Sequence, residues 1–298
     1  MAKIVSSIDI GTNTVTLLIA KIDNSKIVSI FEAEEITSLG EGIHQNGLIK
    51  ETSINRCIKY LTKYKKYIKK FNVEEEICIA TSALREAKNS HSVLKKINSI
   101  NIFPKIISGI QEARLVGGII KYEFADNLNN SLVIDIGGGS TEFILFKNSQ
   151  IINVESINLG SVTLFEKFFS DPITNDAIIQ SMSFVINHLN NSFIKNHSIN
   201  HLIGVGGTIT SLSAMYNKII PYNSKLVHKS LLPATSFDFF SNILLKSSFQ
   251  KRSQHPLLDS KRARVIPAGY IILKEIMNYK NFNNVLVCER GLRWGALL

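Results

Sequence analysis

The chain has 298 residues, with 34 basic and 24 acidic side chains, so its formal net charge is +10. Apolar residues make up 45% of the chain and charged residues 19%, which excludes intrinsic disorder because enough apolar surface is present to offset chain entropy. No apolar run reaches the roughly 18 residues that a membrane-spanning helix needs. At about 150 residues per domain, the length predicts two domains.

The N-terminus and the cysteines bear on the cellular compartment. The opening stretch MAKIVSSIDIG meets Asp9 inside its apolar part, which does not fit the charged, apolar and cleavage regions of a secretion signal. The cysteines Cys57, Cys78 and Cys288 are widely spaced and form no CxxC pair, so neither a disulfide framework nor a thiolate zinc site is indicated. We therefore expect a cytoplasmic protein with buried, reduced thiols.

The positive charge has two explanations. It favours a polyanionic partner such as nucleic acid, phosphate chains or a nucleotide, but the chain is also rich in Ile, Asn and Lys, the residues of A/T-rich codons. The densest basic cluster, Lys59 to Lys70, carries Leu61, Tyr64 and Ile68 at helical spacing. This pattern predicts an amphipathic helix with a solvated basic face, and a dedicated binding patch is the alternative.

The first half of the chain alternates strands with helices. It opens with a strand, a tight glycine turn and a second strand, and a third strand and a long helix come next. The predicted bounds are Lys3–Ile10, Val15–Ile22 and Ile27–Ile36 for the strands and Glu51–Phe71 for the helix. Beyond them we predict a strand ending near Thr81 with Ser82 as a helix cap, a short strand at 105–108 and a helix over Ile110–Phe124.

The same pattern restarts in the second half. NNSLVIDIGGGSTEFILFKN again reads as strand, glycine turn and strand, with Asp135 in the place of Asp9. Further elements are predicted as helices at 161–169, 174–196, 209–217, 235–247 and 262–280 and strands at His201–Val205 and Asn284–Cys288. Each half is thus predicted to be an α/β lobe, with domains at 1–125 and 126–298 and a hinge in the polar stretch Asn127 to Ser131.

The glycine turns carry the main functional signal. DIGTNT and DIGGGS each come after a buried-looking strand, and glycines allow close backbone approach to an anion, which successive N–H groups can bind. Two such loops facing each other across a cleft would hold a phosphate from both sides. A third turn, GVGGTIT, places N–H groups at a helix N-terminus. The candidate phosphate-binding residues of these loops are Gly11, Thr12, Asn13, Thr14, Gly137, Gly138, Gly139, Ser140, Gly206, Gly207 and Thr208.

Each of the first two loops begins with an aspartate at a strand end. Asp9 and Asp135 are suited to hold Mg²⁺ through its waters beside the phosphates. The alternative is that these carboxylates cap N–H groups of their own loops.

Eight segments in order carry a family resemblance: DIGTNT, TSALREAKN, ISGIQEARL, DIGGGSTEF, GVGGTITSL, VHK, RARVIPAG and ERGLRWG. Together they resemble the Ppx/GppA phosphatases, the exopolyphosphatases and guanosine pentaphosphate phosphatases, over essentially the whole chain. The resemblance implies two ribonuclease-H-like lobes of the actin, sugar-kinase and heat-shock chaperone ATPase superfamily, with an interlobe cleft. It also implies a homodimer.

The resemblance implies roles for particular side chains. Glu112 of ISGIQEARL corresponds to the glutamate that activates water, and Gln111 stands where the family usually has a second acid. Arg85 matches an arginine that reaches the phosphate, a role that suits a planar guanidinium. Arg262 falls in a segment lining the cleft, although which arginine of KRAR points inward stays open.

The resemblance also bears on His228 and Glu289. His228 matches a recurring family histidine, for which a structural hydrogen bond and a ligand contact are equal alternatives. Glu289 replaces the aspartate that relatives often carry before the final glycine.

These residues predict a magnesium-dependent phosphohydrolase. It would remove the terminal phosphate from polyphosphate or from the 5′ end of guanosine pentaphosphate (pppGpp to ppGpp), with Glu112 orienting or deprotonating water. No specific nucleic-acid partner and no membrane partner are predicted. The alternatives are an ATP-dependent sugar or acid kinase of the same superfamily and a non-catalytic, actin-like nucleotide-binding protein.

Overall fold

The structure, a computed structural model, describes residues 2–125 and 128–298. The chain forms two compact units, Met1–Ile119 with Leu292–Leu298, and Ile120–Gly291. The domain boundary predicted at 125/126 differs from this division by six residues and in the placement of the last seven. Asn127, the first residue of the predicted hinge, lies outside the described residues.

The first unit is built on a five-stranded sheet in the order β3-β2-β1-β4-β5. Strands β1 to β3 form an antiparallel meander, and β4 and β5 run parallel to β1. The strands are β1 Lys3–Ile10, β2 Thr14–Asp23, β3 Lys26–Ile36, β4 Glu75–Ala80 and β5 Lys105–Ile106. The helices are α1 Ile43–Asn46, α2 Glu51–Lys70, α3 Ser82–Glu86, α4 Ser90–Asn98 and α5 Gly109–Phe124, the last of which continues into the second unit.

Helix α2 covers one face of this sheet. Its buried residues Ile54, Cys57, Leu61, Tyr64 and Ile68 recur every three or four positions, which places them on one side of a helix. The Tyr64 hydroxyl donates a hydrogen bond of 2.9 Å to the carbonyl of Val15 in β2. The predicted amphipathic helix is thus confirmed, with most of its lysines exposed and Lys65 half-buried.

The second unit contains a six-stranded sheet in the order β10-β11-β9-β6-β7-β8. Its strands are β6 Ser131–Ile136, β7 Thr141–Lys147, β8 Gln150–Ile157, β9 His201–Val205, β10 Leu231–Pro233 and β11 Asn284–Val287. Its helices are α6 Ser161–Phe168, α7 Asn175–Asn191, α8 Gly207–Tyr216, α9 Ser224–Val227, α10 Phe237–Phe240, α11 Phe249–Ser253 and α12 Ile266–Tyr279. Helix α13, Leu292–Gly295, comes after β11 and belongs to the first unit.

The two sheets repeat one topology. In each, an antiparallel meander (β1 to β3, β6 to β8) precedes two strands parallel to its first strand (β4 and β5, β9 and β11). Strand β10 is an addition at the edge of the second sheet. Asp9 and Asp135 are each the last residue but one of their strands. The predicted α/β class and the predicted internal repeat are confirmed.

Several predicted bounds are wrong for identifiable reasons. Ser82 is the first residue of α3, with Thr81 in the cap position, and the Ser82 hydroxyl instead donates to Glu86 Oε1 at 2.7 Å. Helix α7 ends at Asn191 because Ser192 is extended and caps a separate 3-10 turn. The helix predicted at 235–247 is divided into a 3-10 turn, α10 and a π turn over Ser241–Leu245.

The described residues bear on the membrane and on the thiols. None of their helices combines the length and the apolar character that crossing a bilayer requires. The thiols are free, with Cys57 and Cys288 buried and Cys78 half-buried. Burial raises the pKa of Cys57 and of Cys288 to about 12, so these two thiols stay protonated and unreactive at neutral pH.

Candidate active site

The first glycine loop joins β1 to β2 in a tight turn. The Gly11 N–H donates to the Thr14 carbonyl at 2.9 Å, and a Cβ on Gly11 would lie 3.2 Å from that oxygen. The loop is supported from outside, because the N–H groups of Thr37 and Ser38 both donate to the Asn13 carbonyl at 2.9 Å. The loop carbonyls are therefore used to fix its shape at the carboxyl end of β1, an edge where open α/β sheets bind ligands.

The second loop has the same internal geometry with a different support. The Gly137 N–H donates to the Ser140 carbonyl at 3.0 Å. The first turn of α6 donates back to the loop, from Ser161 N–H to the Gly137 carbonyl at 2.9 Å and from Val162 N–H to the Gly138 carbonyl at 2.8 Å. This contact requires a glycine at 160, where a Cβ would lie 2.3 Å from the Gly138 carbonyl oxygen.

The third turn adjoins the second loop within the second unit. Gly206 has a positive φ of 93°, and a Cβ there would lie 2.6 Å from Asp135 Oδ1. Gly207 then opens α8, and a Cβ on it would lie 2.0 Å from Arg262 Nη1. Backbone groups of this turn therefore lie directly against the carboxylate of Asp135 and the guanidinium of Arg262.

The position of Arg262 is informative because the N-terminus of a helix carries partial positive charge. A guanidinium placed there faces a charge of its own sign, an arrangement that suits an anion bound by both groups. Arg264, the other arginine of KRAR, instead lies over the ring of Phe165, with 5.4 Å between its guanidinium carbon and the ring centroid. Of these two arginines, the structure places Arg262 at the glycine turn.

Asp135 is a buried carboxylate at the end of β6. Burial raises its pKa to about 6, since a low-dielectric surrounding disfavours the charged form. Its direct partner across the antiparallel β6–β7 pair is Glu142, which is also buried and accepts a hydrogen bond of 2.7 Å from Ser156. Our sequence reasoning missed Glu142, although a charged residue within the apolar strand TEFILFK is itself a signal.

Arg85 and Glu112 come together in the first unit. Arg85 Nη1 lies 3.6 Å from Glu112 Oε2, and both side chains are largely buried, with exposed fractions of 24% and 12%. Arg85 Nη1 also donates to the Ile107 carbonyl at 2.9 Å, just beyond β5. The two residues that the resemblance assigned to phosphate binding and water activation are therefore in contact.

Gln111 has a structural role that the sequence analysis missed, although Ser108 followed three residues later by Gln111 is a capping-box pattern. The Ser108 N–H donates to Gln111 Oε1 at 2.9 Å, and the Gln111 N–H donates to the Ser108 hydroxyl at 3.2 Å. These reciprocal bonds form a capping box at the start of α5. The side chain of Gln111 is thus turned back toward the helix terminus. Of the two consecutive positions where the family usually has acids, only 112 carries a carboxylate here.

His228 contacts a buried carboxylate in the second unit. Its Nε2 lies 3.1 Å from Glu123 Oε2, which Lys229 also approaches to 3.5 Å, while Arg290 Nη1 bonds Glu123 Oε1. The structural alternative for His228 is therefore the one that the described contacts favour. Glu289 precedes Arg290 in the loop after β11.

Whether Asp9 and Asp135 could hold magnesium depends on how many protein ligands the ion requires. In the described ranges, 2–125 and 128–298, no group of three or more His, Cys, Asp or Glu side chains is arranged to hold a metal ion. Mg²⁺ is commonly held by one or two carboxylates, with substrate phosphates and water completing its shell. Asp9, whose Oδ1 is buried, and Asp135, each beside a glycine loop, fit an ion that arrives with phosphate.

Fold and site define an α/β protein of two repeated units, each with a glycine loop suited to an anion at the carboxyl ends of its parallel strands. The family model of the Ppx/GppA phosphatase family matches residues 18–298. The chain belongs to this family.

Similar proteins agree with that membership. The chain is 38% identical to a bifunctional 3-dehydroquinate synthase/phosphatase of Fusobacterium nucleatum over 98% of its own length, but it spans only 46% of that protein. It is 26% identical to exopolyphosphatase 2 of Mycobacterium tuberculosis, with 91% of this chain and 89% of that protein covered. The crystal structure of the Aquifex aeolicus Ppx/GppA family member is 32% identical and superposes with a TM-score of 0.82, covering 100% of this chain and 97% of the other.

Proposed function

We propose that the protein is a phosphohydrolase that releases the terminal phosphate of inorganic polyphosphate by attack of water assisted by Glu112. The observation that carries this proposal is the Arg85–Glu112 contact of 3.6 Å at the start of α5. A phosphoanhydride hydrolase needs a base or positioner for water and a cation for the equatorial phosphate oxygens. A carboxylate and a guanidinium in contact supply one candidate for each role, which supports the proposal.

The reaction proposed for the first unit is hydrolysis of the terminal phosphoanhydride bond. A water oxygen forms a bond to the terminal phosphorus while one of its protons passes to the Glu112 carboxylate. The bridging P–O bond breaks, and its electron pair stays on the new terminal oxygen of the shortened chain. Arg85 would bind the phosphate oxygens with its planar guanidinium.

The glycine loops would bind phosphate through backbone N–H groups. In the first unit these belong to the loop of Gly11, Thr12, Asn13 and Thr14. In the second unit they belong to the loop of Gly137, Gly138, Gly139 and Ser140 and to the start of α8, at Gly206, Gly207 and Thr208, where Arg262 supplies a cation. Asp9 and Asp135 would hold magnesium, which when bound neutralises phosphate charge and polarises the phosphoryl group.

Guanosine pentaphosphate is the second candidate substrate, since a relative that is 24% identical to this chain is named a guanosine-5'-triphosphate,3'-diphosphate pyrophosphatase. Both substrates end in a phosphoanhydride, and Glu112, Arg85 and the glycine loops would act on either. The exopolyphosphatase named among the relatives and the exposed lysines of α2 favour polyphosphate. We therefore expect kcat/KM to be higher for long-chain polyphosphate than for pppGpp.

The test is a direct comparison of the purified full chain on both substrates with Mg²⁺, measuring inorganic phosphate. Release from polyphosphate or pppGpp supports the hydrolase, and the ratio of the two kcat/KM values decides between them. A parallel reaction contains ATP and sugar or acid acceptors. Phosphorylated acceptor there, without phosphate release from either candidate substrate, would overturn the proposal in favour of a phosphotransferase.

A further inference from the structure

Helix α2 carries more than half of the net positive charge of the chain. Its 20 residues include seven basic side chains and one acidic one, so they contribute six of the ten net charges. Five of the basic residues recur at intervals of three or four and are all exposed, which places them along one side of the helix. This set, here named the α2 basic stripe, consists of Arg56, Lys59, Lys63, Lys66 and Lys70.

Local carboxylates neutralise only part of the stripe. Arg56 lies 3.8 Å from Glu41, and Lys63 lies 3.1 Å from Glu35. In the part of the chain that the structure describes, Lys59, Lys66 and Lys70 form no ion pair with a carboxylate. The exposed face of α2 therefore presents uncompensated positive charge at Lys59, Lys66 and Lys70, along the length of the helix.

The stripe begins beside the first glycine loop. Arg56 Nε donates to the Thr37 carbonyl at 3.1 Å, and the Thr37 N–H donates to the Asn13 carbonyl at 2.9 Å. One buried residue thus separates the first cation of the stripe from the loop expected to bind phosphate.

The stripe ends at the opposite edge of the sheet. The chain beyond α2 returns to the start of β1, where the Glu74 N–H donates to the Ile4 carbonyl at 2.8 Å, whereas the glycine loop lies at the other end of β1. At 1.5 Å per residue, the stripe from Arg56 to Lys70 is about 21 Å long. It is a linear row of cations leading away from the loop.

We propose that the α2 basic stripe binds the trailing part of a linear polyphosphate chain whose terminal phosphate is held at the glycine loop. This inference rests on the proposed function and extends it to the substrate class. A polyphosphate carries a negative charge on every phosphate along an unbranched backbone, so it matches a row of cations in both charge and shape. Binding would release counterions and should therefore weaken as salt is added.

The test removes three lysines of the stripe that have no carboxylate partner among the described residues. The variant Lys59→Gln/Lys66→Gln/Lys70→Gln is compared with Lys195→Gln/Lys225→Gln/Lys246→Gln, which changes the net charge equally at exposed positions of the second unit. We expect the stripe variant to raise KM for long-chain polyphosphate about tenfold, the scale of three lost phosphate contacts. Its kcat and its hydrolysis of tripolyphosphate should match the wild type, as should all values of the control variant.

A binding measurement separates this inference from the proposed function. Fluorescence anisotropy of labelled long-chain polyphosphate, without magnesium, should show about tenfold weaker binding by the stripe variant even if the protein hydrolyses nothing. The slope of log K against log salt should fall by about two, at roughly 0.7 per phosphate contact.

Three results would overturn the inference. The first is that the stripe variant binds polyphosphate as tightly as the wild type. The second is that the control variant loses as much polyphosphate affinity as the stripe variant. The third is that the wild type binds a single-stranded RNA of matched charge more tightly than polyphosphate, and that the stripe substitutions weaken this RNA binding. The first indicates a merely solvated helix face, the second a net-charge effect, and the third a nucleic-acid surface.

Discussion

The two units share a loop but differ in the side chains placed after their parallel strands. In both, the glycine after the strand donates to the residue three positions on, at 2.9 Å from Gly11 and 3.0 Å from Gly137. After β5 the first unit carries Glu112 in contact with Arg85, whereas after β9 the second unit carries a helix N-terminus facing Arg262. The repeated scaffold thus supplies the same glycine turn twice, and the side chains after later strands surround each copy with different charged groups.

The largest expected effect is the loss of kcat when Glu112, the proposed base in the first unit, is replaced. Glu112→Gln keeps the shape of the side chain but removes its basicity, so we expect kcat to fall at least about 100-fold, the scale of one general base, with KM little changed. The matched control is Glu51→Gln, the same substitution at an exposed residue of α2, which should leave kcat unchanged. Steady-state phosphate release measures both, and an unchanged kcat for Glu112→Gln would assign water activation to another group.

The second prediction breaks the backbone site of the second unit. Gly206→Ala puts a methyl group 2.6 Å from Asp135 Oδ1 and 2.8 Å from the Ile136 carbonyl, at a positive φ, which should cost about 2 kcal/mol of stability and lower kcat/KM at least about tenfold. Gly118→Ala in α5 meets only the end of Leu298 at 3.5 Å and should stabilise by up to about 1 kcal/mol. Urea unfolding and kinetics compare the two, and equal effects would contradict the tight contact at Gly206.

The third prediction concerns the cation of the second unit. Arg262→Lys keeps the charge but loses the planar, two-pronged contact, so we expect KM to rise about fivefold with kcat nearly unchanged. Arg264→Lys, two residues away and over Phe165, should leave KM unaffected. If Arg264→Lys raised KM instead, the assignment of the phosphate-facing arginine would be reversed.

The smallest effect concerns stability and pH. Burial by itself would raise the pKa of Glu123, but the hydrogen bond from His228 and the charge of Arg290 together hold it below its ordinary value of 4.5. Lys229 also faces this carboxylate. A carboxylate whose pKa is lower in the folded chain than in the unfolded chain stabilises the fold at any pH above its unfolded-state pKa. This stabilisation is lost as the pH falls through the folded-state pKa. At pH 7 it is fully present, so Glu123→Gln should destabilise the fold by about 1 kcal/mol.

The same reasoning predicts how the stability of Glu123→Gln relative to the wild type changes with pH. The stability deficit of Glu123→Gln should shrink as the pH falls below about 4.5, because the unfolded wild-type chain then binds a proton at this carboxylate more readily than the folded chain does. Urea unfolding at pH 7, 5 and 3.5 measures it, and a deficit that grows toward acid would contradict the ion cluster.

The sequence predicted the repeated part of the fold well because its signals are local. The apolar, β-branched runs ending at Asp9 and Asp135 lead at once into glycines, and both became strands that end at those turns. Strand β8 was missed because it is an edge strand without full burial, so its residues lack a clear apolar alternation. Helix α7 was predicted too long because nothing in its apolar pattern marks the extended Ser192.

The site was predicted unevenly for a related reason. Loop residues can be read from a short motif, but the contact between Arg85 and Glu112 joins positions 27 residues apart and depends on the packing of β4 against β5. The pairing of Glu142 with Asp135 results from strand register, and the selection of Arg262 over Arg264 results from how the segment before α12 meets Gly207. Local patterns do not contain these distances.

The most direct test of the central claim traces the oxygen of the attacking water. The wild-type chain is incubated with magnesium and polyphosphate in ¹⁸O-enriched water, and the released phosphate is examined by mass spectrometry. Hydrolysis assisted by Glu112 predicts one solvent oxygen in each phosphate released, formed at least about 100-fold more slowly by Glu112→Gln. Phosphate without solvent oxygen, or labelled phosphate formed equally fast by that variant, would contradict the account.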